Sequence, residues 1–192
     1  MHFPKFKIKN VARVKVGFLN RASVIDDRQG THSLIQLRDF NAERTSISLG
    51  AMTRFTPVNA EAGELQVGDV LFLAKGARNF AYPILDLEGP TLAASYFFIL
   101  RPDESLNPTF LAWILNSEAT REFFVPLTGQ GVRTPVVRRE VLEDLEIPVP
   151  PIEVQELIAE VIDSSVRQHS LLVELANMKR ALATELIKQF IY

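Results

Sequence analysis

The chain has 192 residues, 47% apolar and 23% charged, with a formal net charge of −2. That balance excludes a disordered polypeptide and fits one domain of ordinary size plus an extension. The lack of cysteine excludes disulfides and thiolate metal sites and suits a cytosolic protein. The first ten residues, MHFPKFKIKN, carry charge without an apolar core region, so no signal peptide is expected. The longest apolar run, TLAASYFFIL, falls well short of the ~18–20 residues of a membrane span and reads as a buried strand.

In chain order, KFKIKNVARVKVGF alternates basic residues with Phe, Ile and Val, the period of a half-buried strand. HSLIQLRDF gives a second short strand. ELQVGDVLFLAKG predicts a Gly-Asp turn, then an apolar strand from Val70 to Ala74 that ends at Gly76. AYPILDLEG and LAASYFFILR follow as strands, punctuated by Gly89-Pro90. SLNPTFLAWILNSEATREFF predicts an amphipathic helix: Asn107 is a good N-cap, Pro108 suits the first helical position, and Phe110, Leu111, Ile114 and Leu115 form one stripe. GQGVRTP reads as a glycine-rich loop and VLEDLEIPV as a last short strand.

Prolines 148, 150 and 151 then stop the chain, and from Ile152 to Tyr192 there is neither Gly nor Pro. A continuous helix here would be ~60 Å long at 1.5 Å per residue. Ile158, Val161/Ile162, Ser165, Leu172, Leu175, Met178/Lys179, Leu182 and Leu186 fall near a three-four spacing, a coiled-coil seam with a polar break at 164–170. Such a helix cannot bury its apolar side against the body alone, so a partner helix is expected. The alternative is a break near Ser164-Ser165 and a folded-back hairpin.

Net charge argues weakly against nucleic acid, but the distribution matters more. Residues 1–25 carry Lys5, Lys7, Lys9, Arg13, Lys15 and Arg21 without an acid, and residues 126–139 add Arg133, Arg138 and Arg139, again without one. The three histidines, His2, His32 and His169, are not at ligand spacing, and His169 falls in the polar part of the helix. Asp26-Asp27 and Glu143-Asp144 have no neighbours that would make an acid–base dyad. No phosphate-loop, methyltransferase or nuclease motif is present. Two loops carry hydrogen-bonding chemistry suited to DNA: residues 73–79, with Lys75, Arg78 and Asn79, and residues 128–134, with Gln130 and Arg133.

Four pieces in order resemble the DNA-specificity (S) subunit of type I restriction–modification systems: VGDVLFLAKGARN at 67–79, NPTFLAWILNS at 107–117, GQGVRTPVVRREVL at 129–142, and above all LEIPVPPIEVQELIAEVI at 145–162. Val154 stands where the family commonly has Glu before the glutamine, here Gln155. The resemblance covers about positions 65–190, and positions 1–64 are less diagnostic, as expected of a target-reading region. It implies an α+β fold: a β-rich target recognition domain with a few helices, residues 1–150, followed by a long coiled-coil-forming spacer helix, residues 151–192. It implies half of a full specificity subunit, so a homodimer or a pairing with another specificity half. Base-proximal contacts are then expected from Lys75, Arg78, Asn79, Gln130 and Arg133, and phosphate contacts from Lys5, Lys7, Lys9, Arg138 and Arg139. Dimerisation is expected through Ile158, Val161, Ile162, Leu172, Leu175, Leu182 and Leu186. The partners implied are double-stranded DNA and the modification and restriction subunits, with no membrane. S-adenosylmethionine, ATP and Mg would belong to those subunits, with no cofactor and no metal on this chain, which is expected to be non-catalytic by itself.

Two other readings stay open on the residues alone. One is an assembly adaptor that displays a β-rich body on a coiled coil, favoured by the acidic helix. The other is a nuclease fragment, which lacks any visible metal-ligand or nucleophile constellation.

Overall fold

A computed structural model describes residues 3–19, 26–48, 50, 52–58, 63–76, 78–124 and 136–191. The elements are β1 (Lys5–Lys7), α1 (Ile8–Val11), β2 (Ala12–Val16), β3 (His32–Ile35), a 3-10 turn (Leu37–Asp39), β4 (Thr53–Phe55), β5 (Val70–Leu73), β6 (Ala81–Pro83), β7 (Thr91–Ala93), β8 (Phe97–Pro102), α2 (Pro108–Asn116), α3 (Glu118–Phe124), α4 (Arg139–Glu143), β9 (Glu146–Pro148) and α5 (Ile152–Ile191). This is the expected β-rich α+β body followed by one long helix.

The two strongest apolar runs set the architecture. Successive strand residues point to opposite faces of a sheet. In β5, Val70 and Phe72 enter one core while Leu71 and Leu73 enter another; in β8, Phe98 and Leu100 divide from Phe97 and Ile99 in the same way. Both strands are covered on both faces, which is why they read as unbroken apolar runs. They lie inside a four-stranded antiparallel sheet of order β2-β8-β5-β6. The helices α1 to α4 supply the first core, with Ile8, Phe110, Leu111, Phe124 and Leu142 buried in it. A three-stranded sheet, β4-β3-β7, covers the other face with Leu34, Ile35, Phe55 and Leu92. The result is a layer of helices, a layer of sheet and a second layer of sheet.

Several predicted elements divide more finely. The first alternating segment is two strands separated by one helical turn: Ile8 and Val11, three residues apart, are both buried, and Ala12 N–H closes the turn on the Ile8 carbonyl. The run LAASYFFILR breaks at residues 94–96, where Phe97 N–H bonds the Ala94 carbonyl at 2.9 Å. Its first part joins the small sheet parallel to β3 and its second part the large sheet. The predicted helix around Phe110 breaks at Ser117, which is extended (φ −65°, ψ 155°); its hydroxyl accepts the Thr120 N–H at 3.3 Å and so starts α3. Residues 141–143 of that segment are helical within α4, Asp144 is its C-cap, and only Glu146–Pro148 is strand.

The Gly-Asp turn is built as predicted. Gly68 takes a φ of +94°, open to glycine at little cost. Asp69 is buried, and its carboxylate accepts the Gln66 N–H at 2.8 Å and both Arg101 Nε and Nη2 at 2.7 and 2.8 Å. These bonds raise the Arg101 pKa, and they satisfy a charge that would otherwise be costly to bury.

The Asn107 cap is also as predicted: its side-chain oxygen accepts the Phe110 N–H at 3.1 Å, with Pro108 inside the first turn. Replacing Asn107 by Ala is expected to cost ~1 kcal/mol, a fall of a few degrees in Tm that thermal unfolding would detect. A Tm equal to that of the parent would remove the cap from the list of stabilising contacts.

The proline stop joins body to helix. β9 pairs only with β1, Lys5 opposite Pro148 and Phe6 opposite Ile147, so Pro148 sits where no further ladder bond is needed. The Pro151 carbonyl accepts the N–H groups of Val154 and Gln155 in the first turn of α5. Gln155 is fully buried. Its Oε1 accepts the Asn107 N–H at 2.9 Å, and its Nε2 donates to the carbonyls of Ser105 and Pro150 at 2.9 and 2.8 Å. One side chain therefore ties together the root of α5, the start of α2 and the proline segment. Beyond Ala159 no residue of α5 is buried, and the 40-residue helix runs on, ~60 Å in all.

Candidate nucleic-acid interface

The loop after β5 is anchored at both ends. Ala74 N–H bonds the Tyr96 carbonyl at 2.9 Å, Leu73 N–H bonds the Phe80 carbonyl at 2.8 Å, and Gly76 takes a φ of +154°. Lys75 and Arg78 are exposed. Asn79 is turned inward: its Nδ2 donates to the Leu73 carbonyl at 2.7 Å, which commits its amide donor to closing the loop. Gln130 and Arg133 lie outside the described residues. The chain re-enters at Val136, which bridges Lys75, while Val137 N–H bonds the Ala74 carbonyl at 2.9 Å. One foot of the second loop thus stands beside the first loop, and Arg138 and Arg139 follow it directly.

Lys7 and Lys9 both reach Asp144, at 3.1 and 2.8 Å, and Lys9 first, then Lys7, hold that carboxyl below its ordinary pKa. Arg139 pairs with Glu143 at 2.7 Å. Lys5 and Arg138 are exposed. Lys9 and Arg139 line one open cleft of about 560 Å³ together with Arg13 and Arg101. Each of these except Arg13 has an acidic partner, so the net positive charge there is smaller than the sequence suggests.

A second basic cleft, about 430 Å³, is lined by Arg44, Arg78 and Arg121 with Phe80 and Asn116. Arg44 and Arg121 were not singled out in the sequence. They stand 34 and 43 positions from Arg78, in a loop and a helix without a motif, and only the tertiary fold brings the three together.

The long helix has two apolar faces. At about 100° per residue, Gln155, Ile158, Ala159, Ile162, Val166 and Val173 share one side. That side meets the body: Ile158 packs on the first core, and Ile162 and Val166 line a groove of about 290 Å³ with Tyr82 and Trp113. His169 and Val173 face residues 41–46 across a further cleft, so His169 is on the body side. On the opposite side Leu157, Val161, Ser164, Gln168, Leu171, Leu175, Met178 and Leu182 follow in alternating steps of four and three, and Leu186 extends them. The apolar members of this row are all exposed, Leu182 at 62%. The expected seam is therefore corrected at its start. Ile158 and Ile162 serve the body, and Leu157 and Val161 open the free seam. Val161, Leu175, Leu182 and Leu186 lie on it and Leu172 on its flank. The helix is continuous through Ser164-Ser165, with no hairpin.

A β-rich body with basic clefts is thus mounted on a helix with a second and uncovered apolar seam. The family model described as the type I restriction modification DNA specificity domain matches residues 66–177, more than half of the chain. The chain belongs to that family. Its fold is similar to that of the type I restriction–modification S subunit from M. genitalium, with a TM-score of 0.60 at 14% identity over 96% of this chain and 44% of that one. It is similar to the HsdS subunit from Thermoanaerobacter tengcongensis, TM-score 0.55 at 18% identity over 87% and 38%. A third similar structure comes from work on complex assembly and conformational transition of the type I R-M system, TM-score 0.58 at 17% identity over 88% and 40%. At these identities the likeness is one of fold, and the chain spans less than half the length of each. Comparison with curated proteins by sequence finds no match. Among the described residues no helix is long and apolar enough to cross a membrane.

Proposed function

We propose that this chain reads one half of a bipartite site in double-stranded DNA and pairs through α5 with a second copy or another specificity half. The body, residues 1–150, is the reading unit, and residues 151–192 are the spacer. In the assembly it docks modification and restriction subunits in the cytoplasm, and those subunits hold S-adenosylmethionine, ATP and Mg. The chain contributes address and spacing, not catalysis. The observation that carries this reading is the free seam of α5 in a member of the DNA-specificity family: a seam of seven apolar side chains, Leu157 to Leu186, faces away from the chain's own body. Lys75, Gln130 and Arg133 are the base-proximal residues of this proposal, and Lys5 and Arg138 contact phosphates.

The test is selection of duplexes from a random-sequence library by the full chain, with retention followed at rising salt. Two inverted half-sites at a fixed gap are expected for a symmetric dimer, with retention falling steeply as salt rises because phosphate contacts release counterions. Retention without an enriched sequence and without salt dependence would sink the proposal and leave the adaptor reading, which the acidic helix supports.

A further inference from the structure

We propose that Arg44, Arg78 and Arg121 form a clamp for a backbone phosphate of the DNA duplex, an inference that rests on the DNA-reading role above. The three guanidinium groups come from three places in the chain, the loop at 41–46, the loop after β5, and α3, and line one cleft. Among the described residues none of the three forms an ion pair, whereas Lys7, Lys9, Arg38, Arg101, Arg139 and Lys188 all do. Glu43 also lines the cleft but lies within ion-pair distance of none of them, so three positive charges face one negative.

Arg44 is held in place before any ligand arrives. Its backbone takes a φ of +61°, a conformation side chains other than glycine seldom adopt. Asn41 fixes it there: Asn41 Oδ1 accepts the N–H groups of Thr45 and Ser46 at 2.8 and 3.1 Å, and the Asn41 carbonyl accepts Arg44 N–H at 3.0 Å. The guanidinium lies 4.5 Å from the centre of the Phe80 ring, and its Nη1 donates to the Arg78 carbonyl at 2.9 Å. Phe80 is itself buried, edge-on to Phe40. Burial and then the charge of Arg78 push the Arg44 pKa down, a cost that a bound anion would relieve.

A guanidinium can read guanine as well as hold a phosphate, but three arginines lining one cleft match the charge and the several oxygens of a phosphate. Asn116, on the cleft wall, accepts the Ala81 N–H and donates to the Ala81 carbonyl, at 2.9 and 2.8 Å. Both atoms of its amide are bonded to the backbone, so the contacts left for a duplex are those of the three arginines with phosphate oxygens. Such contacts position a duplex without specifying its sequence. Arg78, expected beside the bases, is therefore assigned to the backbone.

The experiment measures the affinity of the full chain for a random-sequence 30-base-pair duplex over a range of KCl concentrations. The variants are Arg78→Ala, Arg121→Ala and the pair together; Arg44 is left intact because its side chain braces the loop. Because the three arginines share one phosphate, the pair of substitutions is expected to reduce the slope of log affinity against log salt by up to about 1, and each single substitution by less, whatever the duplex sequence. A wild-type slope in the double variant overturns the clamp while leaving the DNA reading standing. So does a loss confined to one base position, or an unchanged slope with lost binding to the modification subunit. A wild-type chain that retains no duplex overturns both readings at once.

Discussion

Replacing Gln155 by Ala is expected to lower the stability of the chain by about 3–5 kcal/mol, because it removes a fully buried side chain and its three hydrogen bonds to backbone groups. Those groups are Asn107 N–H, Ser105 C=O and Pro150 C=O. At ~2–4 °C per kcal/mol for a chain of this size, thermal unfolding should fall by roughly 6–20 °C. Gln155→Glu keeps the acceptor for Asn107 but loses the donor to both carbonyls, and should unfold early as well. A change below about 1 kcal/mol in the Ala variant would mean that the root of α5 is held by its apolar contacts alone. The glutamine also explains the proline stop. Pro150 and Pro151 fix the chain so that the Pro150 carbonyl meets the Gln155 side chain five residues on and the Pro151 carbonyl starts the helix. The stop is a corner with a bolt through it.

Leu175→Asp is expected to convert a dimer to a monomer. Leu175 lies near the middle of the free seam, 47% exposed in the single chain. In a symmetric pair the change is made twice, and a loss of about 4 kcal/mol corresponds to a thousandfold in Kd. Light scattering at rising concentration should give the parent chain twice the 21.6 kDa of one copy and the variant one copy. Arg180→Asp, on the opposite side of the helix, should leave the dimer mass unchanged. A parent chain that stays monomeric at every concentration, or a variant that stays dimeric, would rule out the seam as a self-pairing surface.

Much of this was legible in the residues because the physics is local. Asn107-Pro108 writes a helix start, three prolines and a chain without Gly or Pro write a stop and a long helix, and apolar runs write strands covered on both faces. What could not be read is what depends on the far side of the fold. LAASYFFILR looks like one strand because nothing in it shows that its halves belong to different sheets. Ile158 and Leu157 are equally good seam residues by spacing, and only the position of the body, through Gln155 and Ala159, decides which faces outward. The basic clefts were legible only in part. Clusters close in sequence, such as Lys7 and Lys9, turn out to be partly neutralised by Asp144, while Arg44 and Arg121 look isolated until the fold brings them to Arg78.

The pairing of Lys5–Lys7 with Glu146–Pro148 places the two necks of the body side by side, one strand spacing apart, ~4.8 Å. Everything between them is closed by that pair of strands, and Gln155 with Ile158 fits the root of α5 to it. A different body set onto this helix would need the same two-stranded closure and the same partners for Gln155, while the free seam and its length would stay as they are.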